Sequence, residues 1–261
     1  RGGDGITGLA RLYRRGRGAS LPHARGLSLY DACAAHKPER LGFCIFDEHR
    51  HEYWTIRLPP FPHGRCSLRT LIVSQYFWPE GFRINEISKT LAERGMEIDV
   101  LTGKPNYPEG KIYPGYRMSG VQQEQFHGVN VMRVPLMPRG KGKLRLALNY
   151  LSFIFSGLLF GPWITRRKSY DAVFICALSP LLLAIPGLLL AKIKRVPVVI
   201  WVLDLWPQSL SATGHVNNRF ILGMVERVVR FIYSRADLIL VQSEAFVGPI
   251  RELAPNKPIE Y

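Results

Sequence analysis

From Leu68 onward, apolar positions fall into short runs with two different rhythms. Residues 68–76, 97–102, 129–134, 171–176, 196–203 and 237–241 are brief apolar stretches rich in β-branched residues, and each predicts a strand. Between them lie stretches of helical period. In 83–94, Ile84, Ile87 and Leu91 recur on one face and Gly95 follows as a stop. Residues 181–194 are apolar throughout, with Pro186 and Gly187 near the start. In 217–235, Phe220, Met224, Val228 and Phe231 share one face. Strands that are apolar on both sides, alternating with helices, predict an α/β domain: a doubly wound, mainly parallel sheet of Rossmann-like type over roughly 68–254. Residues 1–67 show neither period, so they are expected to be irregular and disordered.

In such a sheet ligands bind beyond the carboxyl ends of the strands, which selects the loops to read. After the first strand stands Gln75-Tyr-Phe-Trp-Pro-Glu-Gly-Phe-Arg83, and after the second Thr102-Gly-Lys-Pro-Asn-Tyr107. Ser179-Pro180, Asp204-Leu-Trp-Pro207 and Gln242-Ser243 follow the later strands. Aromatic faces beside short polar groups suit a sugar, whose rings stack and whose hydroxyls need partners. Tyr76, Asn85, Lys104, Asn106, Tyr107, Ser179 and Trp206 are therefore the candidate substrate-binding residues. A carboxylate at a strand end can orient or deprotonate an acceptor hydroxyl, which makes Asp204 the candidate catalytic residue; a structural hydrogen bond is its other reading. Gly81 and Arg83 stand at a helix start, where backbone amides and the helix dipole favour a donor phosphate.

Composition narrows the partners. The 261 residues carry 35 Lys and Arg against 20 Asp and Glu, a net charge of +15, which calls for an anionic partner. The basic residues flank apolar runs rather than interleave with aromatics, so no nucleic acid is expected. Four cysteines are too few and too scattered for a secreted disulfide framework, which points to a reducing, cytoplasmic compartment. Gly3-Asp-Gly-Ile-Thr-Gly8 has the letters of a dinucleotide motif without a preceding strand. Cys33, His36, Cys44, His49, His51, His63 and Cys66 have no recognised zinc spacing, so neither metal nor cofactor is expected.

Residues 146–164 hold no charge, and as a helix they are about 28 Å long, close to a bilayer core. Asn149, Ser152 and Ser156 form a polar stripe, Gly161-Pro162 should interrupt the last turn, and basic residues flank both ends. The expectation is a helix that packs its polar stripe on the domain and dips its apolar face into an anionic membrane surface without spanning it. A core helix with a basic start is the other reading.

Several strings resemble bacterial glycosyltransferases of family 4, and most closely the amino-sugar transferases of O-antigen and capsule assembly. They are Gln75-Tyr-Phe-Trp-Pro-Glu, Arg83-Ile-Asn85, Leu101-Thr-Gly-Lys-Pro-Asn-Tyr-Pro-Glu-Gly110, Arg133-Val-Pro-Leu, Pro138-Arg-Gly-Lys-Gly142, Asn149-Tyr-Leu-Ser-Phe153, Trp201-Val-Leu-Asp-Leu-Trp-Pro207, Ser211-Ala-Thr-Gly214 and Asp237-Leu-Ile-Leu-Val-Gln-Ser243. The resemblance implies the N-terminal, acceptor-side half of a GT-B fold, with the C-terminal donor domain absent and 1–67 a non-family extension. It implies retaining transfer of a sugar, an amino sugar by the closest match, from a nucleotide-diphosphate sugar to a lipid-linked acceptor. That would occur at the inner face of the bacterial plasma membrane, without a metal. Gly81 matches the loop that approaches the donor diphosphate, although many relatives have two or more glycines there. Many relatives carry His just before the position of Asp204; here Leu203 stands in that place. A free-standing Rossmann-like binding domain without catalysis is the alternative.

Overall fold

The computed structural model describes residues 42–47, 52–57, 67–209 and 218–261. The chain divides into two compact units, 1–67 and 68–261. The first contains an antiparallel hairpin of β1 (Gly42–Asp47) and β2 (Glu52–Arg57), with Phe43 opposite Ile56. This corrects the expectation that 1–67 is irregular throughout. Phe43, Ile45, Tyr53, Trp54 and Ile56 are strong strand formers, and two short strands can pair across residues 48–51 without a long amphipathic period. The Gly3–Gly8 string and the side chains of the Cys and His group lie outside the described residues, as does Ser211-Ala-Thr-Gly214.

The second unit is one eight-stranded sheet in the order β10-β9-β8-β7-β3-β4-β6-β5. In chain order these are β3 (Arg69–Val73), β4 (Glu97–Thr102), β5 (Gln122–Phe126), β6 (Val129–Arg133), β7 (Ala172–Ala177), β8 (Val198–Val202), β9 (Leu238–Val241) and β10 (Ile259–Glu260). All neighbouring pairs are parallel except β5 on β6. The chain builds outward from β3 to β4 and β6, then crosses back to lay β7 on the other side of β3. Loops at the carboxyl ends of β3 and β7 therefore diverge, which opens the crevice where such sheets bind ligands.

The helices are α1 (Arg83–Glu93), α2 (Lys143–Thr165), α3 (Ile185–Lys194), α4 (Arg219–Ser234) and α5 (Val247–Leu253). Leu71, Val73, Val173, Ile175, Ile200 and Ile239 point from the sheet into one apolar core with Phe153 of α2, Leu190 of α3, Ile232 of α4 and Ile250 of α5. Helix α1 buries Ile84 and packs against β4 and β6. It ends at Gly95, whose φ of +85° a side chain would resist.

Two expected boundaries move. Residues 181–194 split into a single 3-10 turn (Leu181–Ala184) and α3, because Pro186 fits the first turn of a helix, where its missing N–H is not needed. Pro162 does not interrupt α2, which continues to Thr165. Close contacts hold α2 on α3 and α3 on the sheet: a Cβ on Gly157 of α2 would come within 2.8 Å of Pro186 of α3, and one on Gly187 of α3 within 2.7 Å of Ile175 of β7.

Candidate functional site

The loop after β3 is shaped by two buried side chains. Asn85, on the first turn of α1, accepts the Trp78 N–H at 2.9 Å and donates to the Glu80 carbonyl at 2.7 Å. The Glu80 carboxylate, 1% exposed, accepts the N–H groups of Asn106 and Tyr107 at 2.7 Å each and that of Phe77 at 3.3 Å. Burial pushes the Glu80 carboxyl above the usual range, and the three N–H donors hold it back. Glu80 thus fastens the first loop to the second, and Tyr76, Phe82 and Tyr107 meet as an aromatic triad with centroids 5.0–5.6 Å apart.

A second node lies beneath the triad. Asn149 of α2 is fully buried; it accepts from Gln75 Nε2 at 2.7 Å and from the Tyr76 hydroxyl at 3.4 Å, and donates to the Met137 carbonyl at 2.6 Å. Asn106 accepts the Arg139 N–H at 2.9 Å and Asn149 Nδ2 at 3.3 Å, and donates to the Lys104 carbonyl. The Arg139 guanidinium stands 5.4 Å from the Tyr107 ring centre. Desolvation is the main cause that raises the Tyr76 phenol, and the neighbouring Arg139 charge opposes it. The Tyr150 phenol is raised by burial as well, within electrostatic reach of both Arg139 and Asp204.

At the ends of β7 and β8 the expected residues do meet. Trp206 Nε1 donates to Asp204 Oδ2 at 3.0 Å and to Ser179 Oγ at 3.2 Å. Asp204 is half-buried and Ser179 exposed. Gly81 and Arg83 are exposed, and Arg83 borders a cavity of about 190 Å³ with Leu178, Leu203 and Gln242. Cys176 also borders it, but burial pushes that thiol up to about 12, so it is a poor nucleophile.

The structure therefore sorts the expected residues into two groups. Tyr107, Ser179, Asp204, Trp206, Gly81 and Arg83 are exposed or half-buried at the carboxyl edge of the sheet, whereas Tyr76, expected to bind substrate, is itself buried there under Phe82 and Tyr107. Asn85, Lys104 and Asn106 are buried behind it, and their polar atoms hold loops. Lys104 donates to Gln122, and burial together with the nearby Arg133 charge lowers its ammonium to about 8. Arg133 is equally buried, bonded to Glu124 and to the Gly103 and Trp78 carbonyls, with the Tyr116 ring 4.9 Å away. Glu80, Arg139, Asn149 and Tyr150 were not singled out as site residues from sequence. In the sequence Asn149 is one of a polar stripe and Arg139 one of the basic residues that precede it, and neither shows its partner locally. Among the described residues no cluster of three His, Cys, Asp or Glu could hold a metal ion.

A profile of the glycosyl transferase 4-like domain matches residues 81–261, from the site's first loop to the end of the sheet. The chain belongs to this family. A relative of this glycosyl transferase 4-like chain is the putative colanic acid biosynthesis glycosyl transferase WcaI of Escherichia coli (strain K12), 27% identical over 153 residues. The match takes in 56% of this chain and 37% of WcaI, so the chain spans little more than a third of that relative's length. Among solved structures, a sucrose-phosphate synthase from Thermosynechococcus elongatus is 14% identical with a TM-score of 0.46, over 74% of this chain and 86% of that one. An α,α-trehalose-phosphate synthase (UDP-forming) from Burkholderia vietnamiensis is 10% identical with a TM-score of 0.42, over 73% and 43%. At such scores the likeness is too distant to speak of site or substrate.

Proposed function

We propose that this chain is the acceptor-side domain of a GT-B glycosyltransferase of cell-surface polysaccharide synthesis. The whole enzyme would move a sugar, an amino sugar on the resemblance above, from a nucleotide-diphosphate sugar to a lipid-linked glycan with retention at the anomeric carbon. The observation that carries this reading is that the hydrogen-bonded Asp204, Trp206 and Ser179 and the Tyr76–Phe82–Tyr107 triad both follow the carboxyl ends of strands of one sheet. In the transfer, the bond from the anomeric carbon to the diphosphate oxygen breaks and the nucleotide diphosphate leaves. The acceptor oxygen forms the new bond at the same face, and its proton passes to Asp204. The Trp206 N–H holds that carboxylate in place, and aromatic faces are the surface on which a sugar ring stacks. Gly81 and Arg83 would meet the donor diphosphate, a role that their exposure at the start of α1 supports.

The lipid-linked acceptor and a seat on the cytoplasmic face of the membrane are supported by exposed apolar surface. Helix α2 buries Asn149, Phe153, Gly157, Gly161 and Thr165 on the domain. It turns Leu144, Phe155, Leu159 and Trp163 outward at 74%, 67%, 70% and 55% exposure. Helix α4 repeats the arrangement: Val229 and Ile232 face the core, while Phe220, Met224 and Phe231 are exposed. Both helices pack into the same core on one side of the sheet, so their outward faces share that side. Lys141, Lys143, Arg145, Arg166 and Arg167 flank the α2 stripe, which suits a surface of anionic lipid. By length and composition α2 could also span a membrane, but its buried stripe makes it part of the domain's core.

The test is transfer by the enzyme that contains this domain, from amino-sugar nucleotides to a prenyl-diphosphate-linked sugar. Asp204→Ala should lower kcat by roughly 10²–10⁴ with the melting temperature unchanged. Unchanged kcat removes Asp204 from catalysis, and no transfer by the unaltered enzyme to any lipid-linked sugar overturns the reading.

A further inference from the structure

We infer that Arg139 is a phosphate-binding residue of this site, and that it takes the diphosphate joining the acceptor glycan to its lipid. The inference rests on the lipid-linked acceptor proposed above and names the residue that would read it. Arg139 stands against the Tyr107 ring and beside the Tyr76 hydroxyl, and among the described residues no carboxylate pairs with its guanidinium. Arg133, the last residue of β6 and six residues earlier in the chain, shows the contrast: its guanidinium is spent on Glu124 and two backbone carbonyls. A half-buried guanidinium against one aromatic face has shed part of its water yet keeps forked donors, which match the oxygens of a phosphate.

The loop that carries Arg139 is built to hold it there. Its own N–H is bonded to Asn106, the Gly140 N–H reaches the Gly110 carbonyl at 3.3 Å, and the preceding Met137 carbonyl is gripped by Asn149. Gly110 and Gly140 both have positive φ, and a Cβ on Gly110 would lie 2.6 Å from the Gly140 nitrogen, so the two loops touch where only glycine fits. Five residues beyond Arg139 comes Leu144, the first outward side chain of the α2 stripe. At most about 18 Å of extended chain separates them. A prenyl diphosphate has the same layout: an apolar chain, then two phosphates, then the sugar. Seated with its chain along α2 and its phosphates at Arg139, it would carry its sugar towards Tyr150 and Asp204. Lys141, Lys143 and Arg145 are exposed and lack aromatic packing, so they suit phospholipid headgroups instead.

The test uses the chain as it is, with farnesyl diphosphate, farnesol, UDP and anionic phosphatidylglycerol vesicles as separate probes and tryptophan fluorescence as the readout. Arg139→Gln should weaken farnesyl diphosphate at least tenfold and leave farnesol, vesicles and the melting temperature unchanged. Arg139→Lys should recover part of the loss. Equal binding of farnesyl diphosphate by Arg139→Gln overturns the assignment and leaves the lipid-linked acceptor standing. So does a loss confined to UDP, which would place the donor's phosphates there, or an equal loss for farnesol and vesicles. If the unaltered chain fails to bind farnesyl diphosphate, the lipid-linked acceptor falls, and Arg139's role with it.

Discussion

Glu80 is a buried carboxylate whose acceptor contacts all go to backbone N–H groups of the two aromatic loops. Glu80→Ala leaves three N–H groups, those of Phe77 and Asn106 fully buried, without a partner, a cost of about 3 kcal/mol. The expected result is a lower urea midpoint together with impaired transfer, while Glu80→Gln, which keeps one acceptor, should be milder; an unchanged midpoint for Glu80→Ala would contradict the account. Lys104 gives a pH test. Its folded-state value near 8 lies below the value of an unfolded lysine, so between the two the unfolded chain holds more protons and stability rises with pH. Wild type should therefore gain stability relative to Lys104→Met as pH climbs from about 8 to about 10.4, and a difference in melting temperature that stays flat over that window would contradict it. Asp204, Tyr76, Tyr107 and Trp206 were legible because a strand end announces them. Glu80, Arg139 and Asn149 were not, because each is defined by partners far along the chain: Asn106 for Glu80, Tyr107 for Arg139, Gln75 for Asn149.

Among elements, the strands with apolar residues on both faces were plain in the sequence, and their observed bounds differ from the expected ones by a few residues. The strand β5 was invisible: Gln-Gln-Glu-Gln-Phe has no apolar alternation. It is one of the two edge strands of the sheet, and it is fixed by pairing with β6, by Glu124 on Arg133 and by Gln122 on Lys104 rather than by burial. Helix α4 shows the opposite ambiguity. The face shared by Phe220, Met224 and Phe231 is the one a periodicity argument would send to the core, yet it points outward, and Val229, Ile232 and Tyr233 are buried instead. A helix apolar on two sides leaves sequence no means to choose, and α2 has the same character. If both outward faces meet lipid, Phe155→Glu with Leu159→Glu should abolish binding to phosphatidylglycerol vesicles at low salt, and Phe220→Glu with Phe231→Glu should weaken it. Neutralising Arg166 and Arg167 should cost about 1 kcal/mol each, roughly fivefold per charge. Vesicle binding that ignores both helices would remove the membrane from the account.

On the scale of the whole domain, the sheet order decides where chemistry can sit. Because β7 returns to the far side of β3, the loops after these two strands part, and Tyr76, Ser179 and Asp204 come to one edge although more than a hundred residues separate the first from the last two. The amino ends of the same strands carry structural contacts instead. Asp171 accepts the Arg69 N–H and Asp237 accepts the Val198 N–H, both at 2.8 Å, and Asp99 binds Lys168 and Tyr170. The carboxyl edge thus carries the proposed chemistry together with the bonds that shape its loops, and these amino-edge contacts are structural. The most direct measurement is backbone hydrogen exchange of the chain with and without a prenyl-diphosphate-linked sugar. Slowed exchange in residues 75–82, 104–107, 137–140 and 203–206 is the predicted result. Protection confined to the amino edge, around residues 67–69, 95–97 and 195–198, or no protection at saturating ligand, would contradict it.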